Sequence, residues 1–515
     1  MNGKKLSAGL WVLWLLLALV AVSCDDEEET EDKCSVSNNS GCADGMVCLE
    51  GPDGDPDCYC SAEDNSGCED GLECQPVEGE QPGCFCSPGG QTGCLEGEVC
   101  ERVIDGNNGC FPPVTVRGLV FDLATGDPIE GAHVAARDAN FAAVSDVAVT
   151  DESGNYELTV LTARNEDGSL AENQVALRAD AEGYLTFPRP PRVALPFDTA
   201  AASGDPLVLE SSATEVGLIP LESTTGLGSI SGTVLTDGAT GTLIVAGGQV
   251  EQGGGVTGLA GFDGTYTVFN VPEGTVSVKG YKAGLQLEST SADVTAGETT
   301  EGVDLALLGE ATAVVSGKVE IVNPGDGDDT SIILVVDETF IENAAIGEAP
   351  PGLRVGEISG QWSIPNVPDG NYVVLAAFEN DFLVRDPDTS IGGTELVRIT
   401  VSEGDLDISE GFKITGALDV VSPDAEETVS GTPTFIWGDD SSEDHYEIVV
   451  YDVYGNLIWE DLAVPGVSGS STVEVSYGGP TLESGLLYQF RATSIKNNGT
   501  PIARTEDLRG VFLYQ

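Results

Sequence analysis

The sequence predicts an all-β, multidomain chain in which small disulfide-rich repeats precede four β-sandwiches. Three observations lead there. Twelve cysteines recur in a fixed register near the amino terminus. Beyond them, runs of Val, Thr, Ile and Leu are bounded by Gly, Asp, Asn and Pro, with 66 glycines, 6 % aromatics and no sustained helical periodicity after the leader. A strand with an internal glycine, followed by a turn into an aromatic strand, occurs three times.

Composition limits the function. A chain of 515 residues is beyond a single core, so several domains are expected. The balance of 86 acidic to 21 basic residues gives a formal net charge of −65, which repels phosphate backbones and excludes nucleic acid as a partner. The same field disfavours bare anionic membranes, so membrane contact requires a covalent anchor. Hydrophobic residues make up 41 %, too many for a disordered acidic chain.

The amino terminus supplies a candidate anchor. Lys4 and Lys5 precede an apolar run from Leu6 to Val22, short for a membrane span and ending in small residues, as in a secretory signal over residues 1–23. The stretch Ala21–Cys24 resembles a bacterial lipobox, with Ala21 where that family more often has Leu. The resemblance implies cleavage before Cys24 and a lipid on its thiol. Cys24 is also the odd cysteine of thirteen. Residues 24–33 would then be the lipidated cysteine and an acidic tether, Asp25 to Glu31, which cannot bury apolar surface and should be a solvated spacer. Asp25 leaves the destination membrane open.

Residues 34–112 hold three repeats of 26 residues. Cys34, Cys42, Cys48 and Cys58 are matched by Cys60, Cys68, Cys74 and Cys84, then by Cys86, Cys94, Cys100 and Cys110. Each unit is too short for a hydrophobic core and needs staples, so two disulfides per repeat are expected. Four cysteines allow three pairings, and the sequence does not choose among them. Zinc is disfavoured because no zinc-type C-x₂₋₄-C interval occurs and no histidine lies nearby. Asp53, Asp55 and Asp57 suggest a calcium loop, but Cys58 stands where the EF-hand pattern wants glycine, so a solvated loop is preferred. The repeats loosely resemble epidermal-growth-factor-like modules.

Three β units follow, at 113–222, 226–309 and 311–415. Their first strands carry Gly118, Gly232 and Gly317; their aromatic strands carry Tyr156, Tyr266 and Trp362. Glycines 154, 264 and 360 stand in the turns before those aromatics, where positive φ is wanted. The second and third units share Asn270–Gly274 and Asn366–Gly370 at the same offset. They are expected to close on Glu215 to Leu221, Val303 to Leu307 and Phe412 to Ile414. Gly118 to Asp122, Thr125 to Ile129, Gly131 to Val134, Asp151 to Tyr156 and Ala181 to Tyr184 resemble the carboxypeptidase regulatory-like family. That implies transthyretin-like sandwiches with a non-catalytic accessory or surface role. The second unit is similar through its first strand, its turn and Lys282 to Gly284. The third diverges and lacks the Pro-Ile-Gly-Ala step. Residues 416–515 resemble a fibronectin type III-like domain, with Trp437 in the buried tryptophan place and Tyr488 as the tyrosine-corner residue.

No catalytic residues are expected. Of the two histidines, His133 is read as solvent-facing and His445 as a surface residue beside Asp444; Ser441, Asp444 and His445 are too close in sequence for a triad. There is no nucleophile elbow, metalloprotease helix, phosphate loop or dinucleotide fingerprint. No cofactor or metal site is assigned; Asp326, Asp328 and Asp329 form a second acidic cluster that could take calcium, and a solvated hairpin tip is preferred. Trp459 is the one mature-chain tryptophan left free for a sugar. The sequence therefore predicts a non-catalytic, extracytoplasmic protein, lipid-anchored through Cys24 to a bacterial outer membrane or surface, with a structural, adhesive or protein-interaction role. Its expected partner is an unidentified surface protein or polysaccharide. A carbohydrate-binding array and an accessory subunit of a secreted peptidase are the alternatives.

Overall fold

The computed structural model describes residues 42, 46–50, 56–61, 68, 72–77, 81–87, 91–95, 97–138, 142–247, 256–322, 330–341, 346–377, 396–402, 404–408, 412–440, 443–496, 499 and 501–515. Among them all regular structure is β, apart from the 3-10 turns Thr199–Ala201, Ser212–Thr214 and Asp337–Thr339. The leader, Cys24, the tether, Cys34, Asp53, Asp55, Asp326, Asp328, Asp329 and Ser441 lie outside the described residues.

Each cysteine repeat supplies one hairpin. Val47–Glu50 pairs with Pro56–Tyr59, Leu72–Gln75 with Gly83–Cys86, and Val99–Val103 with Gly109–Phe111. The third and fourth cysteines of a repeat face each other across the hairpin, as in Cys74 against Cys84 and Cys100 against Cys110, yet bond elsewhere. The first joins the third (Cys60–Cys74, Cys86–Cys100) and the second joins the fourth (Cys42–Cys58, Cys68–Cys84, Cys94–Cys110). Cys48 is also disulfide-bonded. Apart from Val99, the buried apolar residues described before Pro112 are all cysteines, so cystine itself is the core.

The next three units repeat one topology. A long first strand runs antiparallel to the aromatic strand and parallel to the closing strand. In the first unit Val114–Asp122 lies between Asn155–Val160 and Val216–Pro220. In the second Leu227–Leu235 lies between Thr265–Pro272 and Leu305–Glu310, and in the third Ala313–Val322 lies between Gln361–Val367 and Phe412–Thr415. A four-stranded sheet covers each: it is centred on His133–Arg137 and Gln174–Asp180, then on Leu243–Ala246 and Gly274–Tyr281, then on Thr330–Val336 and Gly370–Ala377. The divergent third unit therefore keeps the register of the other two.

The repeated glycine has a steric cause. Gly118 lies opposite Tyr156, Gly232 opposite Tyr266, and Gly317 opposite Trp362. A Cβ at Gly118 would sit 1.9 Å from the Thr214 carbonyl oxygen, one at Gly232 2.0 Å from that of Val303, and one at Gly317 2.6 Å from the Trp362 ring. The missing side chain lets the aromatic residue cross the strand. Tyr156 Oη then donates to the Thr214 carbonyl at 2.6 Å, and Tyr266 Oη donates to the Val303 carbonyl. Both hydroxyls tie the aromatic strand to the return segment on the far side of the first strand.

Successive units are joined by a recurrent contact. Asn270, at φ 58°, opens the second unit's Asn-Val-Pro turn. Its Nδ2 donates to the carbonyls of Ala181 and Tyr184 at 3.0 and 2.9 Å, and its Oδ1 accepts from the Gly183 N–H at 2.8 Å. Asn366, at φ 60°, holds the equivalent place in the third unit, where its carbonyl accepts from the Gly284 N–H at 2.8 Å. The first unit uses the same region to grip the last cysteine repeat. Ala163–Arg164 pairs in parallel with Arg102–Val103. Glu101, 1 % exposed, accepts from Arg164 Nε at 2.5 Å and from the Thr162 N–H and hydroxyl at 3.0 Å each.

The last module packs Val420–Ser422, Thr434–Gly438 and Thr472–Ser476 against a sheet built on His445–Asp452 and Leu487–Ile495. Trp437 is fully buried between them beside Tyr446 and Phe490. Tyr488 Oη accepts from the Glu483 N–H at 2.9 Å, five residues upstream, which is the bond a tyrosine corner makes.

Candidate functional site

The sandwiches do not form a string. The first, third and fourth meet, with the second, around a cavity of about 190 Å³. Buried charges hold this junction. Arg178, on the strand Gln174–Asp180, is 0 % exposed. Its Nε donates to Asp180 at 2.5 Å, its Nη1 to Glu348 of the third unit at 3.0 Å, and its Nη2 to the carbonyl and hydroxyl of Thr257 in the second at 3.0 and 2.9 Å. One guanidinium therefore ties three units together, in the fork geometry that suits arginine. Burial opposes its charge, yet Asp180 and Glu348 together raise its pKa above the usual arginine value.

Arg137 lies on the neighbouring strand and also donates to Glu348 through Nη2. Burial outweighs Glu348 here and lowers the Arg137 pKa. Its Nε is buried without a hydrogen-bond partner. Arg354 of the third unit pairs with Asp138 of the first at 3.1 Å, and Lys279 of the second with Glu338 of the third at 2.7 Å. The fourth module contributes Arg491, whose Nη1 meets Asp507 at 2.5 Å. Burial nevertheless pushes the Asp507 carboxyl up to about 6. Arg192 of the first unit donates to the Tyr454 carbonyl of the fourth at 2.7 Å, and Phe121 meets the Tyr454 ring edge-on at 5.5 Å.

The residues singled out in the sequence fall elsewhere. His133 is not a solvent-facing residue. It is half-buried at the joint between the first two units, edge-on to Phe269 at 5.0 Å, and burial lowers its pKa against the pull of Asp180. His445 is half-buried at the start of its strand. Trp459 is not free either. It is half-buried against the core, stacked on Phe435 at 6.2 Å and edge-on to Tyr477 at 5.2 Å, so little of its face remains for a sugar. The sulfurs of Cys60, Cys68 and Cys84 lie within 4.8 Å of one another, as do those of Cys86, Cys94 and Cys100. All six are in disulfides and offer no thiolate to a metal. Among the described residues no helix is long and apolar enough to cross a membrane.

Sequence reasoning missed the junction. The signal available was the placement of scarce arginines in otherwise apolar strands, Arg137 and Arg178 in the first unit and Arg491 in the last, where alternation alone predicts apolar or neutral residues.

No family model matches the chain, and no curated protein matches it. Solved structures similar to parts of it include three bacterial proteins. The TIE protein of Bacillus anthracis is 12 % identical, over 75 % of this chain and 68 % of that one, with a TM-score of 0.14. A DUF3823 family protein from Bacteroides ovatus is 13 % identical, over 39 % of this chain and 98 % of that one, with a TM-score of 0.21. BcpA, the major pilin subunit of Bacillus cereus, is 11 % identical, over 59 % of this chain and 99 % of that one, with a TM-score of 0.15. Likenesses at this level establish neither a shared arrangement nor a shared function.

Proposed function

We propose that the chain is a non-catalytic cell-surface protein with a structural, adhesive or protein-interaction role, held to a bacterial membrane by a lipid on Cys24. The cystine repeats act as a stalk, and the four sandwiches, read as three carboxypeptidase regulatory-like modules and one fibronectin type III-like module, act as a single head. The observation that carries this reading is the ionic junction. Buried guanidinium groups pair with carboxylates of other modules, an arrangement suited to holding a rigid body that presents its outer faces to a surface protein or polysaccharide. The oxidised cysteines support an extracytoplasmic setting, because such staples persist only outside reducing compartments. The packing of Trp459 weakens the carbohydrate-array alternative.

The test is metabolic labelling with an alkyne fatty acid, followed by membrane fractionation and mass spectrometry of the mature amino terminus. The expected result is an acylated Cys24 in the membrane fraction and an unlabelled, unprocessed Cys24→Ala chain. A water-soluble, unlabelled wild-type chain overturns the anchoring.

A further inference from the structure

The junction cavity has a chemistry that the structural role does not use. We propose that it binds a small carboxylate with an apolar body. This goes beyond the surface role and is independent of lipidation.

The charges around the cavity do not balance. Each lining carboxylate has its own guanidinium: Glu348 has Arg137, Asp507 has Arg491, and Asp138 has Arg354. Asp180, behind the wall, has Arg178. Arg189 and Arg192 line the same cavity, and among the described residues neither forms a salt bridge. Arg192 is half-buried over the Phe187 ring at 4.6 Å and donates only to the carbonyls of Gly217 and Tyr454. Burial lowers its pKa to about 10, with Asp452 the one carboxylate opposing that, and Asp452 is itself held by the Tyr454 and Asn456 N–H groups. In a chain of net charge −65, two cations without carboxylate partners at one cavity form a local anion site.

A third donor points the same way. Arg137, 4 % exposed, lines the cavity, and its buried Nε–H has no acceptor. A buried N–H left unpaired costs about 1–3 kcal/mol, which an incoming carboxylate oxygen would recover. Much of the remaining wall is apolar, from Leu177, Val193, Ala194, Val256, Ile346 and Leu508, with Thr186, Thr257 and Thr339 between them. An apolar cavity of roughly 150 Å³ holds benzene. The 190 Å³ here suits a body of that size with a carboxylate added. The loop from Thr186 to Arg192, which has no counterpart of its length in the second unit, supplies both unpaired cations and part of the wall.

The test is isothermal titration of the full chain with sodium benzoate and sodium hexanoate, and with benzamide and hexanamide as neutral isosteres. Saturable binding of at least one acid is expected, with its amide at least tenfold weaker. Arg189→Gln, at an exposed rim position, should weaken the acid about tenfold without moving the thermal midpoint. If that variant proves unstable, Ala194→Leu fills the cavity without altering a charge and should abolish binding in a folded chain. No saturable binding of either acid overturns the proposal. So does equal binding of acid and amide, or unchanged affinity in folded Arg189→Gln or Ala194→Leu.

Discussion

The cystine stalk and the sandwich head solve the same stability problem by opposite means. Among its described residues the stalk buries little but cystine, and its hairpins are joined by bonds that constrain the unfolded chain. Among the described residues the head holds four apolar clusters, and its modules are joined by buried ion pairs, the Asn270 side chain and the Asn366 backbone. The difference is one of size. A repeat of 26 residues cannot enclose a core, whereas units of roughly a hundred residues can. The two solutions also fail under different conditions, which makes the contrast testable.

Reduction should separate the two regions most sharply. Dithiothreitol is expected to expose residues before Pro112 to protease while the head stays resistant, as judged by limited proteolysis and mass spectrometry. Equal resistance before and after reduction would erase the distinction. Next comes Arg178→Ala, which strips Asp180 of its arginine and leaves Glu348 with Arg137 alone. A loss of about 3–5 kcal/mol is expected in denaturant melts of the head, with the stalk unaffected. Gly232→Ala drives a Cβ into the Val303 carbonyl and should cost about 1–3 kcal/mol, confined to the second sandwich in hydrogen exchange. Asn270→Ala removes three hydrogen bonds across the first joint, roughly 1–2 kcal/mol, and should raise exchange at Gly183 while leaving both cores protected.

The smallest effect concerns pH. Burial raises Asp507 from 3.8 to about 6, so the folded head binds a proton there that the unfolded chain has already lost. Its contribution is fully present below about pH 4 and is lost as pH rises through 6. Subtracting the stability profile of Asp507→Asn from that of the wild type should leave a slope of that sign between pH 4 and 6. A flat difference would show that Asp507 ionises normally.

Much of the local structure could be read from the sequence because its causes are local. The opposed pairs Gly118 with Tyr156 and Gly232 with Tyr266 mark strand, turn and register together, since only glycine leaves room for the crossing aromatic. Trp437 was legible as a buried residue of the final module, and it is fully buried there. The cystine pairing was not readable, because three pairings fit each repeat and the choice depends on the hairpin, in which Cys74 and Cys84 face each other yet bond to Cys60 and Cys68. The junction was hidden more deeply. Arg178 meets Glu348 across 170 residues, and no periodicity encodes a contact between separate sandwiches. His133 was misplaced by the same gap, being covered by Phe269 of the next unit, whereas Trp459 is covered within its own module by Phe435 and Tyr477 from the facing sheet.

The asparagine joint also bears on how far the order of the modules is fixed. Taken alone, that contact is open-ended: each unit offers a loop to the next, and nothing in it says when to stop. The arginine junction is not a pairwise seam, since its cavity draws on residues from every sandwich. Exchanging the second or third unit would take Thr257 or Glu348 away from Arg178. The guanidinium thus makes the identity of each neighbour matter where the loop contact alone would accept any copy.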